Sequence, residues 1–275
     1  MSSIDEKRVY DDREGANVCY LATRVGAVRV AVSDDLVGEY GVVHRGEVRD
    51  VAVGGGVLVV ATEEDVVVDG EATGVGAARA VGTDPAGEPL AVRDDGTVCR
   101  PGDGDLGRVP DARAVDGGLV AAPDGVYRVG DGVRPAGLDD VRDVAGGGTP
   151  LAATADGLYA LGPGWTRRAT GGFAAVAHGP DGPVALDDEG EVRRGEGTDS
   201  ADEAWSRLPA LPDSVAPVDC GRGVGVTYVA GEEGRFAVRV DGGEWRTRSL
   251  GTPGVRRLIV GDPKGERVGA GSDRT

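Results

Sequence analysis

One arginine recurs along the chain at a fixed place in a short phrase. Arg49, Arg79, Arg113, Arg142 and Arg256 are each the second of four residues in VRDV, ARAV, ARAV, VRDV and VRRL. Guanidinium forks grip carboxylate or phosphate through two parallel hydrogen bonds, so five of them gathered at one mouth would make a site for a small anion. These five are the candidate ligand-binding residues. The plainer expectation is that each pairs with an aspartate of its own or the next repeat, such as Asp50 or Asp143, and fastens repeats together, since structural ion pairs outnumber binding rings.

Other reactive groups are sparse. His44 and His178 are the only side chains that titrate near neutrality without help, and neither stands in a nucleophile or metal motif. Surface or turn positions are expected for both. There is no GxSxG, HExxH or P-loop, and no GxGxxG placed between a strand and a helix. The acidic turns Asp94-Asp95-Gly96 and Asp187-Asp188-Glu189-Gly190 offer oxygens to calcium but lack a spaced ligand pattern, and tight turns require Asp and Gly in any case. Cys19, Cys99 and Cys220 are odd in number, widely spaced and without a CxxC, which suits small buried hydrophobes better than a disulfide or zinc site. No catalytic residue, metal or cofactor is assigned.

The elements that carry the arginines form a repeat. The phrase returns, degraded, as FAAV ending at Val176, VAPV ending at Val218 and VRRL ending at Leu258, so the seven last residues are 30, 34, 29, 32, 42 and 40 apart. After each phrase come a turn, a short apolar run, a polar turn and a second run, as in LAATADGLYAL from Leu151 and LVAAPDGVYRV from Leu119. DG at such turns supplies the left-handed conformations of a tight hairpin. A fourth element carries tryptophan: Trp165, Trp205 and Trp245 stand 40 apart, at one repeat position. Their shared place predicts packing between repeats rather than a sugar platform.

With 49 Gly and 15 Pro, and Val-rich runs of four to six, helices are disfavoured and strands favoured. Four short strands per unit cannot bury both faces of their own sheet, so neighbouring units must cover them in a ring. The expected fold is all-β, a β-propeller of seven four-stranded antiparallel blades (six or eight being the alternatives), in one domain over residues 1–275. The segment VCYLATRVGAVRVAV from Val18 supplies a hairpin with no opening phrase of its own, so it should pair with the strand near Leu258 and close the ring. Residues 1–17 are read as an N-terminal strand or tail and 266–275 as a C-terminal tail. The long segment from Arg193 to Ser214 is a candidate contact loop.

Charge sets the solvent. The net charge is -17, from 47 acidic against 30 basic residues, and Lys7 and Lys264 are the only lysines. Such a surface repels nucleic acid and anionic lipid, and its self-repulsion is relieved only in concentrated salt, where the screening length at about 1 M is roughly 3 Å. Acidic, lysine-poor composition resembles that of proteins from salt-loving archaea. No stretch approaches the eighteen or so apolar residues of a membrane span, and the charged MSSIDEKRVYDDREG start carries no apolar signal core. A cytoplasmic protein is expected.

RVDGGEWRTR, with Asp241, Gly242, Gly243 and Trp245, resembles the Asp-box of sortilin-like and sialidase-like propellers; GPGW before Trp165 and DEAW before Trp205 are degraded forms. That resemblance implies structural roles: the aspartate braces a turn and the tryptophan packs between strands. EKRVYDDREG followed by GAVRVAVSDD also resembles the opening of an uncharacterised haloarchaeal β-propeller family, which brings no activity with it. The expected function is therefore non-enzymatic: a monomeric binding or scaffold propeller that recognises a protein partner or a small anionic ligand. The rival is a glycan- or anion-processing hydrolase or lyase using the arginines with Tyr127 or Tyr159.

Overall fold

The computed structural model of the chain describes residues 17–195 and 205–261. Residues 1–16 of the N-terminal segment read over 1–17, the C-terminal tail read over 266–275, and residues 196–204 of the long insertion lie outside them, while Asn17 opens a strand. The described residues form seven antiparallel four-stranded sheets and no helix. Each sheet is a blade whose first strand lies innermost. The inner strands are Val48–Gly54, Ala78–Thr83, Ala114–Asp116, Val141–Ala145, Phe173–Ala177 and Pro217–Gly223 in blades 1 to 6, and Arg257–Val260 in blade 7.

Blade 7 is the predicted composite. Its inner strand pairs with Asn17–Thr23, with Leu258 opposite Leu21 and Val260 opposite Cys19, and the sheet continues outward through Gly26–Ser33 to Leu36–Arg45.

Ring closure is visible in the core. Seven apolar clusters fill the seven seams between consecutive blades. In the seam between blades 2 and 3, Leu90, Val92 and Val98 meet Val115, Val120 and Val129. In the closing seam, Val18, Tyr20 and Ala22 meet Val48, Val51 and Val60. Small β-branched side chains suit this packing, since adjacent sheets converge toward the axis and leave little depth for large ones. Where inner strands turn outward the crowding is greatest. A Cβ on Gly82 would sit 2.4 Å from the Val115 carbonyl oxygen, and one on Gly117, at φ +53°, 2.5 Å from the Gly146 Cα. Only glycine fits there.

A β-bulge recurs at the start of the inner strands. The register jumps between Val48 and Asp50, Ala78 and Ala80, Val141 and Asp143, Phe173 and Ala175, and Pro217 and Asp219. The skipped residue is Arg49, Arg79 or Arg142 in three of these, so the bulge turns the arginine out of the pleat. The same register corrects one repeat. In blade 6 the unit opens with PVDC (217–220), not with the VAPV phrase two residues earlier, because Pro217 pairs with Gly231 as Val48 pairs with Thr62. Asp219 thereby occupies the position of Asp50 and Asp143.

Candidate functional site

Along the propeller axis the residue after the arginine position matters most. It is Asp50, Asp143 and Asp219 in blades 1, 4 and 6, and Arg257 in blade 7. All three aspartates are buried. Each reaches the next blade: Asp50 Oδ2 accepts the Val81 N–H at 2.9 Å, Asp143 Oδ2 the Val176 N–H at 2.9 Å and Asp219 Oδ2 the Leu258 N–H at 2.7 Å. Asp116 does the same for the Gly146 N–H at 2.7 Å. Four of the seven seams are thus stapled at their innermost point.

Arg257 projects into this ring of carboxylates. Its Nη1 lies 2.7 Å from Asp143 Oδ1 across the axis, and its Nε lies 3.7 Å from Asp219 and 3.9 Å from Asp50. Burial alone would lower the guanidinium pKa, but the charges of Asp143, Asp219 and Asp50 outweigh it and hold the group firmly protonated. Burial pushes Asp50 up to about 6 and Asp219 up to about 7, with the Arg257 charge opposing in both. The Asp116 carboxyl is raised too, again by burial. One cation among three axial carboxylates is short of neutrality, so protons supply the balance as pH falls.

This charged girdle separates two openings. The narrower, about 160 Å³, is lined by Arg49, Arg79, Arg113, Arg142 and Arg256 together with Arg257, so all five predicted arginines meet at one mouth. Each also holds a carboxylate. Arg49 donates to Asp94 at 2.7 Å and Glu63 at 3.1 Å, Arg79 to Asp111 at 3.3 Å and Arg113 to Asp140 at 2.7 Å, while Arg142 pairs with Asp188 and Arg256 with Glu47. Asp94, Asp111, Asp140, Asp188 and Glu47 all lie on or just before the following blade. The expected partners Asp50 and Asp143 are therefore not used; those residues face the axis. The five side chains keep a quarter to two-fifths of their surface exposed.

The wider opening, about 660 Å³, is walled by turn glycines such as Gly55 and Gly148 and by Asp84, with Asp116, His178, Asp219 and Arg257 deeper in. His178 Nε2 lies 2.9 Å from the Thr149 carbonyl oxygen. His44 is on the outer strand of blade 7, far from this constellation in the fold.

The three tryptophans share one role. Trp165, Trp205 and Trp245 are half-buried, each against the cluster formed with the preceding blade. Trp165 Nε1 donates to the Ala136 carbonyl at 2.8 Å and Trp245 Nε1 to that of Pro209 at 2.7 Å. Asp241 is spent on arginine rather than on its own turn: its carboxylate takes Arg222 Nη1 at 2.8 Å and Nη2 at 2.6 Å, with Arg194 at 3.0 Å. The Arg222 hydrogen bonds hold the Asp241 carboxyl below the ordinary carboxylate range.

Asp187, Glu189 and Glu191 cluster tightly enough for a cation, yet Arg193 and two backbone N–H groups take Asp187, and Arg207 lies 2.7 Å from Glu191. Tyr127 and Tyr159 donate to Asp124 and Asp156 of their own hairpins and do not line the arginine mouth. Cys19, Cys99 and Cys220 are buried free thiols. Sequence reasoning missed the axial set because Asp219 was hidden by the shifted phrase and Arg257 stands where other blades carry Asp or Ala.

A family model described as HVO_0234-like, beta propeller, matches residues 3–261. No curated protein matches the chain. Among solved structures, the crystal structure of the computationally designed Ika8 protein is similar at 15% identity and a TM-score of 0.52, over 92% of this chain and 95% of that one. Human WBSCR16 is similar at 15% identity and a TM-score of 0.49, over 83% of this chain and 89% of that one. No helix among the described residues is long and apolar enough to cross a membrane.

Proposed function

Because the chain belongs to the HVO_0234-like β-propeller family, whose fold is a rigid ring, we propose that it is a non-enzymatic scaffold of a salt-rich cytoplasm. It docks a protein partner on the outer strand of blade 7. One observation carries this reading. Of six large apolar side chains exposed among the described residues, five lie in that blade: Val25, Leu36, Tyr40, Val42 and Val43. Folding does not require them outside, and an apolar patch rimmed by polar groups is what an interaction surface needs. The test is a photoreactive phenylalanine analogue placed in the host cell at Val43 or, as control, at Val224 in a turn of blade 6. A protein adduct is expected at Val43 above the control; equal yields at the two positions end the reading.

A second reading rests on the arginine mouth. Five partly exposed guanidinium groups around one opening would take a small anion by displacing surface carboxylates such as Asp94 or Asp140. Titration with citrate or phosphate in molar KCl, followed calorimetrically, is expected to give heat that vanishes in Arg49→Ala; the same heat from that variant would dispose of the mouth as the site. RVDGGEWRTR is taken as a degenerate Asp-box with a structural role, and it adds no catalytic group.

A further inference from the structure

We propose that the partner on blade 7 is a second copy of this chain, joined antiparallel along the outer strand Leu36–Arg45; this rests on the protein-docking reading above. The strand is ten residues long, whereas the outer strands of the other blades have two to six. It pairs on one side with Gly26–Ser33, while Arg248 takes the Val37 and Gly38 carbonyls, so Glu39–Arg45 presents about 23 Å of unpaired edge. The other outer strands are short or charged, as in EA, GDLGR and RTRS, which is how edges are ordinarily kept from pairing.

Its sequence is its own complement. In an antiparallel pairing centred on Val42, Tyr40 falls opposite His44, Gly41 opposite Val43 and Glu39 opposite Arg45. Glu39 and Arg45 are exposed, and neither has an ion-pair partner among the described residues. The one carboxylate and one guanidinium of the strand would be matched twice across a two-fold axis, as an isologous interface demands. Charge around the strand is also unusual for this surface. Arg248 of blade 6 lies over the Tyr40 ring at 5.0 Å and donates to the Val37 carbonyl, so the patch carries no acidic excess in a chain of net charge -17. Two bulges lie in Leu36–Arg45 itself, one at Val43 between the residues that pair with Ala27 and Val28, the other within Gly38–Glu39; they bend the edge and limit pairing to one neighbour instead of a fibre.

The test is sedimentation of the full chain between about 1 and 100 µM in about 0.5 and 3 M KCl. A dimer is expected, strengthening with salt as repulsion between two acidic bodies is screened. Glu39→Arg should weaken it about tenfold or more, and adding Arg45→Glu to that variant should restore it. Val42→Lys with Val43→Lys should give a monomer with unchanged melting. A wild-type monomer at every concentration, or indifference to all three variants, overturns the proposal. If the chain is monomeric while the Val43 probe captures a protein of another mass, the second-copy inference falls and the docking reading stands. No capture and no dimer fells both.

Discussion

Replacing Arg257 with methionine removes the cation that faces Asp50, Asp143 and Asp219 on the propeller axis while roughly keeping its volume. Three buried carboxylates then face one another across the channel, of which Asp143 alone had a direct 2.7 Å partner in that guanidinium. Breaking a buried pair by deleting one member costs about 3–5 kcal/mol, because the remaining charge is left uncompensated. The size of the loss should depend on pH in a defined direction. Asp50 and Asp219 already sit at about 6 and about 7 in the folded protein against an ordinary 3.8, so the native state binds protons more tightly than the unfolded one. The stability they contribute is full below about pH 4 and is lost as pH rises through about 7. Without Arg257 both carboxyls move higher still, and the window extends above pH 7. Urea unfolding in about 3 M KCl should therefore show Arg257→Met destabilised by about 4 kcal/mol at pH 8 and by less than half of that at pH 5. A loss below about 1 kcal/mol at pH 8, or equal losses at the two pH values, would show that the girdle is not energetically coupled to folding.

Three further outcomes follow from the packing of the ring. Trp165→Ala should cost about 2 kcal/mol in a high-salt unfolding titration, less than a fully buried tryptophan, because the ring is half-buried in the seam of blades 3 and 4; a cost under about 0.5 kcal/mol would contradict the packing role. Deleting the residues after Leu250 removes the inner strand of blade 7 and should replace the cooperative melt with a broad, lower one, whereas an unchanged transition would refute closure by that strand. Burial raises the Cys19 and Cys220 thiols strongly, so a disulfide reagent at pH 8 should leave both unreacted until denaturant is added; rapid labelling of the native protein would mean that the ring opens readily.

The blade count and the clasp were legible because both follow from local residues. VRDV and ARAV mark inner strands, DG marks hairpin turns, and the hairpin at Val18 has no opening phrase of its own. The axial site was not legible, for a physical reason. Arg257 and Asp143 are 114 residues apart and meet only because the ring curls, and no pairing rule links them along the chain. Asp219 lay behind Pro217, a residue that broke the resemblance of its phrase to the others while keeping the same register. The arginines were seen, but their partners were misassigned to the adjacent aspartates. A bulge that turns Arg49 outward while Asp50 faces the axis cannot be read from a string in which the two are neighbours.

The shared blade also has a consequence for synthesis. Cys19 must wait for Val260, about 240 residues later, and at roughly 5–20 residues per second the ribosome takes about 12 to 50 s to deliver it. Throughout that interval the first hairpin lacks its inner neighbour, and the flank of Asn17–Thr23 stands open to any other nascent strand. Native assembly is thus a race between the last stretch of translation and mispairing of the first.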